Sequence, residues 1–259
     1  RISGIDRMNL VILYPHFFFR GEPFSLPTAA TGYSAKNVIT GSRQLMFKKE
    51  TASTTVAFKT AVGALRGEER QAQYLYVAGL NLVTPHFSPY IDVIGADDSS
   101  FSVNAVTETA VALTIADCIG RNNEDYILEL DGNFKDYWQV LFTVAGNLQY
   151  ELRKIFLGQW FYFGVEPDTP ASFEVDISDY RRHVRTLELT WKGVSNESLK
   201  EFTTRILAYH QFNPVVLYAR DWDGVLNGET ILHCQIESFD LKRRLHDNNE
   251  VSIRFKEII

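Results

Sequence analysis

Two aspartates and a glycine, in the segment Asp221-Trp-Asp-Gly224, stand shortly before Glu229. Calcium takes several oxygen ligands and needs a sharp bend between them, so this segment is a candidate cation loop. Its spacing differs from that of an EF-hand, and Asp-x-Asp-Gly between two strand-like runs also supplies ordinary turn chemistry, which is the favoured interpretation. Asp92, Asp97 and Asp98 receive the same interpretation. No metal is predicted.

Residue types that carry nucleophilic or zinc chemistry are present, but without useful spacing. The six histidines, at positions 16, 86, 183, 210, 233 and 246, form no zinc-type pair, and neither cysteine belongs to a Cys-x-x-Cys unit. His233 and Cys234 are adjacent in an alternating run, so their side chains point to opposite faces and cannot act as base and nucleophile. Nucleophile elbows and nucleotide-binding glycine loops are missing. We predict a protein that is not an enzyme and holds no cofactor, although a glycosidase pair among the 32 acidic residues stays open.

The net charge of −6 makes the average surface repel phosphate backbones, which disfavours nucleic-acid binding. The longest apolar run, near Leu10 to Phe19, is interrupted by Pro15 and His16 and is too short to span a membrane. Cys118 and Cys234 are predicted to be buried free thiols, since two distant cysteines do not make a disulfide framework. Because the chain starts at Arg1, targeting stays open.

Short apolar runs separated by turn-forming residues recur between positions 37 and 165, which predicts an eight-stranded jelly-roll sandwich. The predicted strands are Leu45 to Phe47, Val56 to Phe58, Tyr74 to Ala78, Tyr90 to Ile94, Val111 to Ile115, Tyr126 to Leu130, Trp138 to Val144 and Leu148 to Leu157. Alternation places Trp138, Val140 and Phe142 on one face, which should contribute to the core between the sheets.

The flanking regions differ in residue pattern from this central part. Residues 1–36 mix large aromatics with turn residues, which predicts an extended arm. The three consecutive residues Phe17 to Phe19 cannot all face one core in an extended chain, so an assembly contact for one face and a strand buried on both faces are equally weighted alternatives. The candidate assembly residues are Tyr14, Phe17, Phe18, Phe19 and Phe24.

A proline-containing segment from Gly164 to Ser172 predicts a linker, which gives a sandwich over residues 37–168 and a C-terminal module over residues 169–259. In this module Ser198-Leu-Lys-Glu201 matches a capping box. Apolar residues then recur at three- and four-residue spacing, from Leu199 to Tyr209, so the module is predicted to be a small sheet with one helix.

Two passages, Tyr74-Leu-Tyr-Val-Ala-Gly-Leu-Asn-Leu82 and Asn147-Leu-Gln-Tyr-Glu-Leu-Arg-Lys-Ile-Phe-Leu-Gly158, resemble the galactose-binding-like (discoidin-type) β-sandwich domains of bacteriophage minor tail and tail-tip proteins. The resemblance covers roughly residues 38–165. Two later passages, Tyr180-Arg-Arg-His-Val-Arg-Thr-Leu-Glu-Leu-Thr-Trp191 and Pro214-Val-Val-Leu-Tyr-Ala-Arg-Asp-Trp-Asp-Gly224, are similar to the C-terminal module of such proteins.

The resemblance implies a mainly β virion protein, a distal tail or minor tail subunit that joins the tail tube to the adsorption apparatus. Its expected partners are further copies of itself in a hexameric or trimeric ring, and the tail tube, hub and fibres. The alternative is a carbohydrate-binding module for host attachment, because galactose-binding-like domains can hold sugar on aromatic platforms beside planar polar groups. The candidate sugar contacts are Trp138, Trp160, Tyr90, Arg121, Asn122 and Asn123.

Overall fold

The computed structural model describes residues 10–14, 17–39, 46–65, 67–81, 88–114, 125–168, 172–178, 182–208, 214–219, 231–243 and 247–258. Strands dominate. In chain order they are β1 (Leu10–Tyr14), β2 (Glu22–Ser25), β3 (Phe47–Lys48), β4 (Ser53–Ala61), β5 (Tyr74–Ala78), β6 (Tyr90–Ala96), β7 (Val106–Ala112), β8 (Asp125–Glu129), β9 (Tyr137–Leu148), β10 (Glu151–Leu152), β11 (Lys154–Phe161), β12 (Ser172–Ser178), β13 (Arg182–Val194), β14 (Val215–Ala219), β15 (Ile231–Lys242) and β16 (Asn249–Glu257).

Helical segments are few and short. The α-helices are α1 (Phe17–Arg20) and α2 (Asn196–Glu201), and α2 continues as one π-helical segment over Phe202–Leu207. Short 3-10 turns occupy Ala35–Ile39 and Gly67–Arg70. Among the described residues, no helix has the length and apolar character needed to cross a bilayer.

The chain folds as two compact units, and the first strand belongs with the C-terminal part. The first unit consists of Arg1–Tyr14 together with Trp160–Ile259, and the second, which we call the sandwich unit, consists of Pro15–Gln159. The divisions in the structure thus differ from the predicted boundaries after residues 36 and 168. The predicted extended arm is wrong for Leu10–Tyr14, which forms a strand buried along its whole length. At Phe17 to Phe19 the structure has the helix α1, so both the extended arm and its alternative, a strand buried on both faces, are wrong there.

The sandwich unit has a five-stranded sheet in the order β2-β4-β9-β6-β7 and a second group in the order β11-β5-β8. All neighbouring pairs are antiparallel. Alternation sends every second side chain inward, and the inward side chains of both sheets form one core. Its fully buried members include Phe58, Val93, Phe142, Leu75 and Leu157.

The first unit has six strands in the order β12-β13-β16-β15-β14-β1 and carries α2. Leu199, Phe202 and Ile206 on the helical segments are buried in its core, as their spacing predicts, whereas Tyr209 lies outside the described residues. The predicted start of this helix at Ser198 is wrong, because Ser195 is the N-cap and its side chain accepts a hydrogen bond from the backbone N–H of Ser198. The predicted class is confirmed: the protein is mainly β, with a sandwich and a smaller β-rich module that carries one helix.

Candidate functional site

The structure places one predicted sugar platform inside the protein. Trp138 is fully buried in the core of the sandwich unit, where its indole N–H donates to the backbone oxygen of Arg70 at 3.3 Å. Phe17 packs against its ring with 5.7 Å between centroids. A sugar cannot reach this side chain, so the prediction of a carbohydrate contact at Trp138 is wrong and the core position predicted from its alternation is confirmed.

The other sugar candidates are placed one by one. Trp160 is half-buried near the end of β11 and belongs to the other unit. Arg121, Asn122 and Asn123 lie outside the described residues. Tyr90 is exposed at the start of β6 and is the most accessible of the candidates that the structure describes.

Most of the candidate assembly residues are core residues. Tyr14 is buried in the core of the first unit, and Phe17 and Phe18 are buried in the core of the sandwich unit. Because each is enclosed by its own unit, the prediction that they contact another copy is wrong. The side chain of Phe19 lies outside the described part. Phe24 is 41% exposed and meets Tyr137 edge to face, with 5.8 Å between ring centroids.

The second face of the five-stranded sheet points away from the core, and we call it the outer face. Its side chains follow from the register, since residues paired across antiparallel strands share a face. Tyr90 pairs with Thr143, Asp92 with Leu141, and Ile94 with Gln139, while Lys59 also pairs with Gln139 from the other side. The face comprises Thr55, Ala57, Lys59 and Ala61 of β4, Tyr137, Gln139, Leu141 and Thr143 of β9, and Tyr90, Asp92, Ile94 and Ala96 of β6.

The ring of Tyr90 is fixed on this face. Its side chain is 43% exposed, and its hydroxyl donates to the backbone oxygen of Ala110 on the neighbouring strand β7 at 3.0 Å. A hydrogen bond at the far end of a side chain with two rotatable bonds holds the whole ring in place. A ligand that stacks on it therefore pays little conformational entropy.

Asp92 lies two residues further along β6 on the same face and is half-buried. Burial raises the pKa of its carboxyl above the usual range for an aspartate, because desolvation disfavours the charged form. The structure gives this carboxylate no hydrogen bond or ion pair with any described residue. An acceptor with unfilled lone pairs therefore lies next to a fixed aromatic ring, and Gln139 adds an amide to the same face.

The aspartates that follow β6 already accept hydrogen bonds from protein groups. Asp98 accepts hydrogen bonds from the backbone N–H groups of Ser102 at 2.9 Å and Val103 at 2.7 Å, and from the side chain of Ser100. Asp97 accepts from Asn104 at 2.8 Å and from Lys135 at 3.2 Å. The hydrogen bonds from Ser100, Val103 and Ser102 lower the pKa of Asp98. The turn interpretation of Asp97 and Asp98 is confirmed, whereas that of Asp92 is wrong, because Asp92 lies within β6 and pairs with Leu141. Asp221-Trp-Asp-Gly224 and Glu229 fall outside the described residues.

Within the described ranges, no group of three or more His, Cys, Asp or Glu side chains could hold a metal ion. Cys234 is a buried free thiol, as predicted, and burial raises its pKa. Cys118 is outside the described ranges.

Sequence reasoning missed Lys59, Asp92 and Gln139 as members of one site. The available signal was alternation for two of them, since Asp92 and Gln139 occupy polar positions between apolar residues of predicted strands, whereas Lys59 follows the end of the predicted strand Val56 to Phe58. Alternation gives the face of a strand but not the order of strands. The neighbours of β9 could not be inferred until the sheet order was known.

No family model matches the sequence, and no curated protein matches it. Among solved structures, the chain is similar to chitosan-binding module 1 from a chitosanase/glucanase of Paenibacillus sp. IK-5, with a TM-score of 0.39 and 11% identity over 56% of this chain and 97% of that chain. It is similar to CBM32-1 from a family 31 glycoside hydrolase of Clostridium perfringens, with a TM-score of 0.38 and 8% identity over 56% of this chain and 99% of that chain. A third likeness, at a TM-score of 0.38 and 8% identity, is to a Ruminococcus gnavus GH29 fucosidase in complex with fucose, over 51% of this chain and 24% of the fucosidase. Likenesses at this level identify no ligand for this chain.

Proposed function

We propose that this protein is a non-enzymatic binding protein whose sandwich unit binds carbohydrate on the outer face. The observation that carries the proposal is the fixed, 43% exposed ring of Tyr90 beside the uncommitted carboxylate of Asp92. A pyranose ring offers an apolar C–H face and a rim of hydroxyl groups. The tyrosine ring suits the first, and the carboxylate and the amide of Gln139 suit the second.

Charge and solvation favour a neutral, hydroxyl-rich ligand over an apolar peptide. An apolar partner would bury the carboxylate of Asp92 without giving it a hydrogen bond, which costs between about 1 kcal/mol and several kcal/mol. Hydroxyl groups can donate to it. The same face offers Thr55, Thr143 and Lys59 as further polar groups.

A glycan array tests this proposal. Tyr90→Ala should weaken binding of any positive glycan by about tenfold or more, which corresponds to about 1.4 kcal/mol. Asp92→Asn should weaken it while keeping the shape of the site. Tyr33→Ala is the matched control, because Tyr33 is a tyrosine of the same unit with 37% exposure and is not part of the outer face. Absence of binding across the array, or equal binding by Tyr90→Ala and Tyr33→Ala, would overturn the proposal.

The setting proposed for this binding is host attachment by a bacteriophage tail, with the protein acting as a tail-tip or distal tail subunit of the virion. One observation favours it over a free-standing module: the sandwich unit is inserted in the chain between β1 and the rest of the other unit. Such an insertion lets one unit serve assembly while the inserted unit presents a binding face.

Native mass measured by light scattering, followed by electron microscopy, tests the assembly role. A ring of three or six copies would support a tail subunit that closes on itself through unlike patches. A monomer at all accessible concentrations would contradict self-assembly. The carbohydrate proposal would then be decided by the glycan array alone.

A further inference from the structure

The outer face is not open along its whole length. Ala96 belongs to this face, because it pairs with Tyr137, yet it is fully buried. Ala96 is also the last residue of β6, and the loop Asp97–Ala105 follows it before β7 begins. At this end of the sheet, part of the chain covers the outer face.

A contact across the sheet places part of this loop over the outer face. The ammonium group of Lys59 lies over the ring of Phe101, 4.9 Å from its centroid. Lys59 is on β4 and Phe101 is in the loop that leaves β6, and β9 runs between β4 and β6. The contact therefore passes over β9 at the level of Gln139, which pairs with Lys59. We call it the Lys59–Phe101 bridge.

Hydrogen bonds stabilise one conformation of the loop that contains Phe101. Asp98 collects donors from three residues of the loop, and Lys135 fixes Asp97 at 3.2 Å. Phe101 itself has φ of 58°, a backbone conformation that is costly for a residue with a side chain. The attraction between the Lys59 ammonium group and the Phe101 ring offsets part of that cost.

We infer that the Lys59–Phe101 bridge closes one end of the carbohydrate site, so that the outer face binds the end of a glycan chain and not its interior. The inference rests on the proposed function. From the level of Thr143 and Tyr90 to that of Gln139 the strands advance by four residues, or roughly 13 Å. A sugar chain that enters beside Tyr90 and follows the strands meets the bridge after that distance. The bridge also supplies Lys59 as a donor to the terminal sugar.

Oligosaccharide length tests the inference. Calorimetry would compare disaccharides with hexasaccharides of β-linked glucose, galactose and N-acetylglucosamine, and each corresponding polymer would be titrated to give the number of protein molecules bound per chain. We expect equal affinity per molecule for the short and long members of the binding series, and one bound protein per polymer chain. Affinity that rises with length, or several proteins per polymer chain, would overturn the inference.

Variants of the bridge give the complementary readout. Phe101→Gly removes the ring and relieves the positive φ, and Lys59→Met keeps the aliphatic stem while removing the charge. Both should open the end of the site, so that several proteins bind each polymer chain. Val103→Ala is the control, because Val103 lies in the same loop, is 50% exposed and makes no part of the bridge. Unchanged stoichiometry in both bridge variants would sink the inference, whereas failure of every sugar to bind the parent protein would instead remove the proposed function.

Discussion

Lys154 is a lysine in the interior of the sandwich unit. Its side chain is fully buried, and its ammonium group donates to the backbone oxygen of Asn37 at 2.6 Å. No carboxylate of the described residues pairs with it. Burial lowers the pKa of Lys154 to about 7, because the charged form loses its hydration. In the unfolded chain the same group titrates near 10.5.

This difference makes the stability of the sandwich unit depend on alkaline pH. Between about pH 7 and pH 10 the unfolded lysine holds a proton that the folded lysine has lost, so the unfolded chain binds more protons and the free energy of unfolding rises with pH. One pKa unit corresponds to about 1.4 kcal/mol, so the total is on the order of a few kcal/mol. Denaturant unfolding of Lys154→Met across this range should show that the parent gains stability relative to the variant as the pH rises.

The comparison needs a lysine that is not buried. Lys200 is exposed on α2, so the stability difference between Lys200→Met and the parent should stay nearly constant over the same pH range. A constant difference for Lys154→Met as well would show that Lys154 keeps its proton in the folded state.

At the scale of the element, short-range patterns located strands with unequal accuracy, and the predicted strand Leu148 to Leu157 is wrong because the structure divides it among the end of β9, β10 and β11. The prediction Tyr74 to Ala78 matches β5 at both ends, and β5 has β11 on one side and β8 on the other. The predicted strand Val111 to Ile115 overlaps only the last two residues of the observed strand β7, Val106–Ala112. β7 is the last strand of its sheet and pairs irregularly at Val93 and Ile94, so its outward positions need not be polar in strict alternation.

β1 shows the limit of such patterns. All five residues of Leu10–Tyr14 are apolar and buried, so the strand has no alternation to reveal it. Its partner β14 lies some two hundred residues later, with Leu13 opposite Val216. Nothing local specifies that pairing, because it is decided by the core that the two strands share. The outer face escaped prediction for the same reason: its members sit on β4, β6 and β9, which are remote in the sequence.

The start of α2 gives a prediction at this scale. The Ser195 side chain accepts a hydrogen bond from the Ser198 backbone N–H at 3.0 Å, which satisfies one of the free amides of the first turn. Ser195→Ala should lower the free energy of unfolding by about 1 kcal/mol, as measured by denaturant titration. Ser198→Ala removes the hydroxyl that accepts a hydrogen bond from the Ser195 hydroxyl at 3.0 Å but leaves the cap in place, and alanine is the better helix former there, so its loss should be smaller. A larger loss for Ser198→Ala would show that Ser198, the start predicted from the sequence, is the true cap.

At the scale of the whole molecule, the two units have separate cores although the chain passes from one to the other twice. The chain leaves the first unit after Tyr14 and returns to it at Trp160. Leu10, Ile12 and Tyr14 pack in the core of the first unit, whereas Phe17 and Phe18 pack in that of the sandwich unit. An N-terminal truncation therefore affects different units according to whether it ends before or after residue 14.

Removal of residues 1–14 should unfold the first unit and leave the sandwich unit folded. The deletion takes three core side chains from the first unit and the strand that pairs with β14, and a single large core truncation already costs about 2 to 5 kcal/mol. Hydrogen exchange should show lost protection in β14 and β15 and retained protection in β4, β6 and β9. A deletion of residues 1–9, which keeps β1, serves as the control. Loss of protection in β9 to the same extent would contradict the prediction, because it would show that the sandwich unit depends on the first unit. The truncated chain should then bind no sugar. Retained binding by that chain would place the whole carbohydrate site within Pro15–Gln159.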